Sequence, residues 1–315
     1  MTELTTTRAN HLVDPGLHVW GWEIPVYLFL GGLVAGMMVI SGYFLFSGRW
    51  KNTRSACFVL PGLSILLLSA GMFALFLDLE HKPFVWRLYT TFEPLSPMSW
   101  GAWILILVYP ALAANLLLRL PEPLRRAAPG LARLSDRLIE KPAALRWIGS
   151  MNMIWGGLLG IYTGVLLSAL GARPLWNSAL LGPLFLVSGL SSAAAFVHLI
   201  APDAGERELL AKADNGFLVT EIVFLALFLI GLLSSTQAHI AAADLLISGP
   251  FGAFFWMVVV GLGILIPLVI QLQAVEHRVA HTPVAPLLVI AGGLALRFVI
   301  VQAGQVSHWA RVAGF

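Results

Sequence analysis

Residues 20–46, WGWEIPVYLFLGGLVAGMMVISGYFLF, decide the fold. After Glu23 this stretch carries no charged residue, and its apolar run exceeds the ~20 residues needed to cross a hydrocarbon core about 30 Å thick. The apolar positions are continuous, which excludes a membrane β-barrel, whose strands alternate apolar and polar residues. Reading outward from one charged or Pro-rich break to the next, the pattern recurs, giving eight spans at approximately 23–46, 57–79, 99–119, 147–171, 178–201, 214–235, 250–273 and 283–305. The composition agrees: 58% of the 315 residues are hydrophobic and 11% charged, against roughly 25% charged in soluble domains. The expected fold is an all-α polytopic membrane protein. The first span is too long for the apolar core of a signal peptide and is expected to remain in the mature chain.

Lys and Arg set the orientation, because cytoplasmic loops retain positive charge. The loops after spans 1, 3, 5 and 7 hold 13 of these residues, seven of them between Arg119 and Arg146. The opposite side, with both termini, holds five: Arg8, Lys82, Arg87, Arg173 and Arg311. Both termini are therefore expected on the outer, periplasmic side of a bacterial inner membrane, together with the long loop 78–98. Trp20, Trp22, Trp86, Trp100, Trp176 and Trp309 fall at outer span ends, where indoles anchor in headgroups.

The run Leu28-Phe29-Leu30 with Gly31, Gly32, Ala35 and Gly36 has an echo in Leu184-Phe185-Leu186 with Ser188, Gly189, Ser192 and Ala193. A repeat offset by four spans preserves direction and points to two four-helix bundles. The expected division is an outer segment 1–22, a first bundle 23–171 and a second bundle 172–315.

Ionisable groups within spans are costly and usually line a cavity or pair with one another. Toward the outer face lie Glu23, Tyr27, Asp78, Tyr162 and Arg297. Asn115, Asn152, His198, Glu221, Gln271 and Gln273 lie toward the cytoplasmic face. Tyr27 also suits an interfacial belt, and Glu23 and Asp78 suit helix ends in headgroups. Arg297 lies too deep to reach water easily, so it requires a carboxylate, and Asp78 is the expected partner. Glu221 must be neutral, paired or hydrated.

Single-residue counts exclude other chemistry. Of eight His only His198 lies well inside a span, which disfavours a haem held by paired axial His. One cysteine, Cys57, excludes a four-Cys cluster. Metal-ligand spacings and a P-loop are absent, and the modest net charge of +3 does not point to nucleic acid.

Several segments in order carry a resemblance. They are Trp20-Gly-Trp22-Glu23-Ile-Pro25-Val-Tyr27 with Gly31, Gly32 and Gly36; Asp78-Leu79 with Pro83, Trp86 and Ser96-Pro97-Met98-Ser99-Trp100-Gly101; Tyr162-Thr163-Gly164 with Arg173-Pro174-Leu-Trp176-Asn177; and Gly292-Gly293 with Arg297, Gly304 and Gln305. This pattern over most of residues 20–310 resembles the NrfD/PsrC family, the membrane subunits of polysulfide reductase and related molybdopterin oxidoreductases. The resemblance implies a subunit that holds no haem, metal or cluster and reacts with menaquinone or ubiquinone. Its expected partners are a four-cluster ferredoxin-like iron–sulfur subunit, a molybdopterin or other catalytic subunit, and membrane lipid.

The family's quinone headgroup lies near the outer face on helices 1, 2 and 4, which implies Tyr27, Tyr162, Asp78 and Glu23 as the quinone-binding set. Tyr162 matches a family tyrosine, whereas Tyr27 stands where a histidine is found. Glu221, His198 and Arg297 are the expected proton pathway. Two other classes fit the residues: a structural anchor without quinone chemistry, and a secondary transporter, against which no span is visibly broken at matching midplane positions.

Overall fold

A computed structural model describes residues 20–51, 53, 59–276 and 282–309. Most of the expected outer segment lies outside the described residues, as do Cys57, His11, His18, His277, His281, Arg8, Arg54, Arg278 and Arg311. Among the described residues the chain is helical without strands. Eight helices are long and apolar enough to cross a membrane: α1 Glu23–Phe46, α2 Leu60–Asp78, α3 Pro97–Leu118, α4 Pro142–Ser168, α5 Leu181–Ile200, α6 Ala204–Leu233, α7 Gly252–Val275 and α8 Val284–Val306. Many large apolar side chains point outward, among them Leu66, Phe73, Val223, Ile230, Met257 and Leu287. So much outward apolar surface is stable against lipid and not against water. The protein is a multi-pass membrane protein.

Local chemistry sets several helix starts. Pro61, Pro97 and Pro142 occupy first-turn positions, where a missing N–H costs nothing. Asp203 caps α6, its carboxylate accepting the Glu206 N–H at 3.4 Å. This cap starts α6 ten residues before the expected span, because hydropathy marks only the part of a helix in hydrocarbon while the cap marks its true first turn. The interior Pro110 does not interrupt α3. In α7 the turns widen to π geometry through Phe255–Leu265, bringing Gly263 against Gly292 of α8.

α1 is buried along most of its length. On one side Val34 and Met38 pack with Leu68 of α2, Leu105 of α3 and Leu159 of α4. On the other, Tyr27 and Leu28 share a core with Phe185 of α5, Phe228 of α6 and Leu296 of α8. The two similar small-residue runs meet each other here: Gly32 and Gly36 of α1 lie against the backbone of Gly189 and the methyl of Ala193 on α5. Without Cβ atoms the backbones approach closely, the usual device for helix pairs that gain nothing from hydrophobic exclusion in lipid.

The outer ends of α1 and α8 are tied together. Gln305 accepts the Trp20 N–H and donates to the Trp20 carbonyl, each at 3.0 Å. Trp20 stacks on Trp176 at 5.2 Å, and the Trp176 indole donates to the Ile300 carbonyl at 2.8 Å. Trp176 is thus a buried tie and not the headgroup anchor expected for it, whereas Trp22, Trp86 and Trp100 are exposed.

Candidate functional site

Among the described residues, two assemblies inside the helix array hold expected site residues. The first is a cavity of about 70 Å³ lined by residues of α1, α2, α3, α4 and the outer loop, Tyr27 and Tyr162 among them. Both phenols are buried. The Tyr162 ring sits over Gly101 of α3, in space that any side chain at position 101 would occupy. The remaining lining is apolar apart from Tyr89, carried on the single-turn helix Arg87–Thr90 of the outer loop. Burial and, secondarily, Tyr109 raise the Tyr89 phenol above the ordinary tyrosine value; it stays protonated at neutral pH and can donate.

Among the described residues, none hydrogen-bonds to the hydroxyls of Tyr27, Tyr89 or Tyr162, whereas the nearby Tyr109 hydroxyl bonds Ser69 at 3.2 Å. Glu23 and Asp78 are half-buried and do not line the cavity. They face each other electrostatically near its outer edge, Asp78 immediately preceding the lining residue Leu79.

The second assembly joins α5, α6, α7 and α8. Arg297 is fully buried, and its guanidinium donates to the Ser188 hydroxyl at 2.5 Å and to the carbonyls of Gly293 and Phe185, each at 2.9 Å. It also lies over the Phe185 ring at 4.8 Å. Its opposing charge is Glu221, which Ser188 also contacts.

The expected Asp78–Arg297 pair is not formed. Asp78 ends α2 at the membrane edge, while Arg297 points into the packing of α5 and α6, where an uncompensated cation would be costly. Glu221 is thus the carboxylate that acts electrostatically on Arg297, with no ion pair within 4 Å joining them among the described residues, and His198 lies at a different level. It is buried ten residues beyond Ser188 on α5, about 15 Å along a helix.

Between these levels stands a residue the sequence reading missed. Asp214 of α6, 1% exposed, accepts from the Ser191 hydroxyl at 2.6 Å and from the Gln271 amide at 2.7 Å. It also interacts electrostatically with Glu221. Asp214 falls at the first residue of the expected span 214–235, whereas α6 begins at Ala204 and Asp214 is buried within it. The available signal was its spacing of seven from Glu221, which puts both carboxylates on one helix face. Asn115 and Asn152 form a local cluster with Ser41 and the Ala111 and Ile148 carbonyls.

Comparisons with known proteins match nearly the whole chain. A family model described as "Polysulphide reductase, NrfD" matches residues 10–308. The chain is 30% identical to Protein NrfD of Escherichia coli K12 over 329 aligned positions, covering 96% of this chain and 99% of the relative. It is 30% identical to a polysulfide reductase chain of Wolinella succinogenes, covering 91% and 94%. Identity to a selenate reductase subunit of Mesobacillus selenatarsenatis is 23%, covering 91% and 74%. The chain belongs to the NrfD family of polysulphide reductase membrane proteins.

Proposed function

We propose that this chain is the quinone-reactive membrane subunit of a respiratory oxidoreductase complex. The observation that carries the reading is the apolar cavity lined by the unengaged hydroxyls of Tyr27 and Tyr162. A quinone presents two carbonyl acceptors on an apolar ring, which match phenol donors in an apolar enclosure. Glu23 and Asp78 near its edge are carboxylates suited to exchanging protons with the outer side. Oxidation of a quinol releases two electrons to a partner iron–sulfur subunit and two protons; reduction runs the same balance backward. That two relatives are named as component chains of reductases supports catalytic and other partner subunits for this chain as well; an iron–sulfur subunit and a molybdopterin subunit are the partners proposed.

The second assembly serves proton movement in this reading. Glu221, Asp214, Ser188, Ser191 and Gln271 form a buried polar file beside Arg297, with His198 toward the other end of α5. Among the described residues, the Gln271, Ser192 and Asn215 side-chain oxygens along it are buried without protein partners, which suits bound water. The 13-to-5 distribution of basic residues supports both termini facing the periplasm and residence in the bacterial inner membrane.

Purification of the chain with its partner subunits, followed by solvent extraction and mass spectrometry, tests the central claim. Menaquinone or ubiquinone should be recovered near stoichiometrically, and added quinol should reduce the partner's clusters. A complex that reduces its clusters from an artificial donor but not from quinol would leave the chain as an anchor only.

A further inference from the structure

We infer that Tyr89 is a third ligand-contacting phenol of the cavity, carried on an outer-loop wall that swings aside to admit the ligand; the inference rests on the quinone reading above. The first ground is size. The cavity holds about 70 Å³, whereas an apolar cavity of about 150 Å³ is what accommodates a single benzene. A substituted quinone ring is therefore larger than the space the cavity holds as it stands.

The second ground is the neighbouring space. A chamber of about 460 Å³ opens within the outer loop, and Leu79, Leu88 and Met98 line both it and the tyrosine cavity. These side chains are the partition between the two. Removing the partition from one side merges the cavity with a volume ample for a ring.

Of the walls, only one is cheap to move. α1 to α4 are long helices packed along their lengths, whereas Arg87–Thr90 is a single turn that carries both Leu88 of the partition and Tyr89 of the cavity. Among the described residues, the hydrogen bonds of residues 84–90 remain within the loop: Leu88 N–H to the Val85 carbonyl at 3.2 Å, Tyr89 N–H to the Trp86 carbonyl at 3.1 Å, and the Thr90 hydroxyl to the same carbonyl at 3.2 Å. The loop is pinned to α3 just beyond this turn. There the Ser99 hydroxyl donates to the Thr91 carbonyl and accepts the Glu93 N–H, and the Trp100 indole donates to the Pro94 carbonyl at 2.7 Å. A turn anchored at its far end and free of hydrogen bonds to the spans opens as a unit at little cost. On closing it returns the Tyr89 hydroxyl to the ligand.

The test uses the chain in its native complex, with the fluorescent quinol analogue heptyl-hydroxyquinoline N-oxide as probe, reading affinity from quenching and association rate from stopped flow. Tyr89→Phe should weaken affinity roughly 3- to 10-fold, the loss of one neutral hydrogen bond. Leu88→Ala, which thins the partition at a half-buried loop position, should speed association several-fold while changing affinity little. Unchanged affinity in Tyr89→Phe overturns the contact, and unchanged association in Leu88→Ala overturns the swinging wall. Failure of the quinone reading looks different: the wild-type complex does not quench the probe, or Tyr162→Phe binds it as wild type does, and the inference then falls with it.

Discussion

At the scale of single residues, the Tyr162 hydroxyl and the Arg297 charge make separable predictions. Tyr162→Phe removes one donor from the cavity and nothing from the packing. Turnover with a quinol should fall about 3- to 10-fold relative to turnover with an artificial donor to the catalytic partner, and an unchanged ratio would remove Tyr162 from the site. For Arg297 the cost lies in what is left behind. Glu221→Gln leaves a guanidinium that cannot shed its proton without its opposing carboxylate, whereas in Arg297→Met the carboxyl can take up a proton and go neutral. Folded yield in detergent should therefore drop more for Glu221→Gln than for Arg297→Met, and the double substitution should recover toward wild type. Asp78→Asn, at a half-buried helix end, should leave yield unchanged; a loss equal to that of Glu221→Gln would restore Asp78 as the partner. That Arg297 needed a carboxylate was legible in the chain, because a deep cation has few alternatives. Which carboxylate answers it was not, since depth along a helix says nothing about the direction in which the side chain points.

At the scale of elements, two glycines hold the arrangement. A methyl at Gly101 of α3 would occupy the space of the Tyr162 ring. Gly101→Ala should therefore expel the ring and reduce quinol-linked turnover more than Tyr162→Phe does, with the artificial-donor rate intact; equal effects would mean the ring tolerates displacement. Gly189 of α5 sits against Gly32 of α1, and overpacking of a close contact typically costs about 1–3 kcal/mol. Gly189→Val should lower the thermal midpoint in detergent, while a valine at Gly157, which has open space around it, should not. An unaltered midpoint for Gly189→Val would show that α1 and α5 slide apart without loss. The small-residue runs were visible in the sequence as a repeat, but that the two copies pack on each other emerged only from the folded chain.

At the scale of the whole molecule, orientation is the quantity that charge controls. The side bearing the helices Glu122–Ala127 and Pro129–Ile139 carries most of the Lys and Arg, and the positive-inside tendency places it in the cytoplasm. Alkaline phosphatase fused after Phe315 should be active and green fluorescent protein fused there dark, with the reverse at Pro129. Fluorescence at the C-terminus would invert the topology and put the tyrosine cavity on the cytoplasmic side, making the proton file an outward route. The exposed apolar belt also requires that the purified chain aggregate when detergent is withdrawn.

The amino-acid sequence by itself determined the solvent of this protein, the number of its spans and their approximate ends. Hydrophobicity is a local property, and twenty consecutive apolar residues have one stable outcome in a bilayer. It also determined that Tyr27 and Tyr162 lie at similar depth toward one face, since depth follows from counting residues along a span. Only the tertiary structure decided what meets what. Arg297 answers Glu221 and not Asp78, Asp214 is buried because a cap starts α6 early, Trp176 turns inward, and Tyr89 reaches the cavity from a loop. Each of these depends on the rotation of one helix against another and on where a connecting loop folds back, which is set by close packing between residues far apart in the chain. That packing leaves no periodic mark in either segment alone.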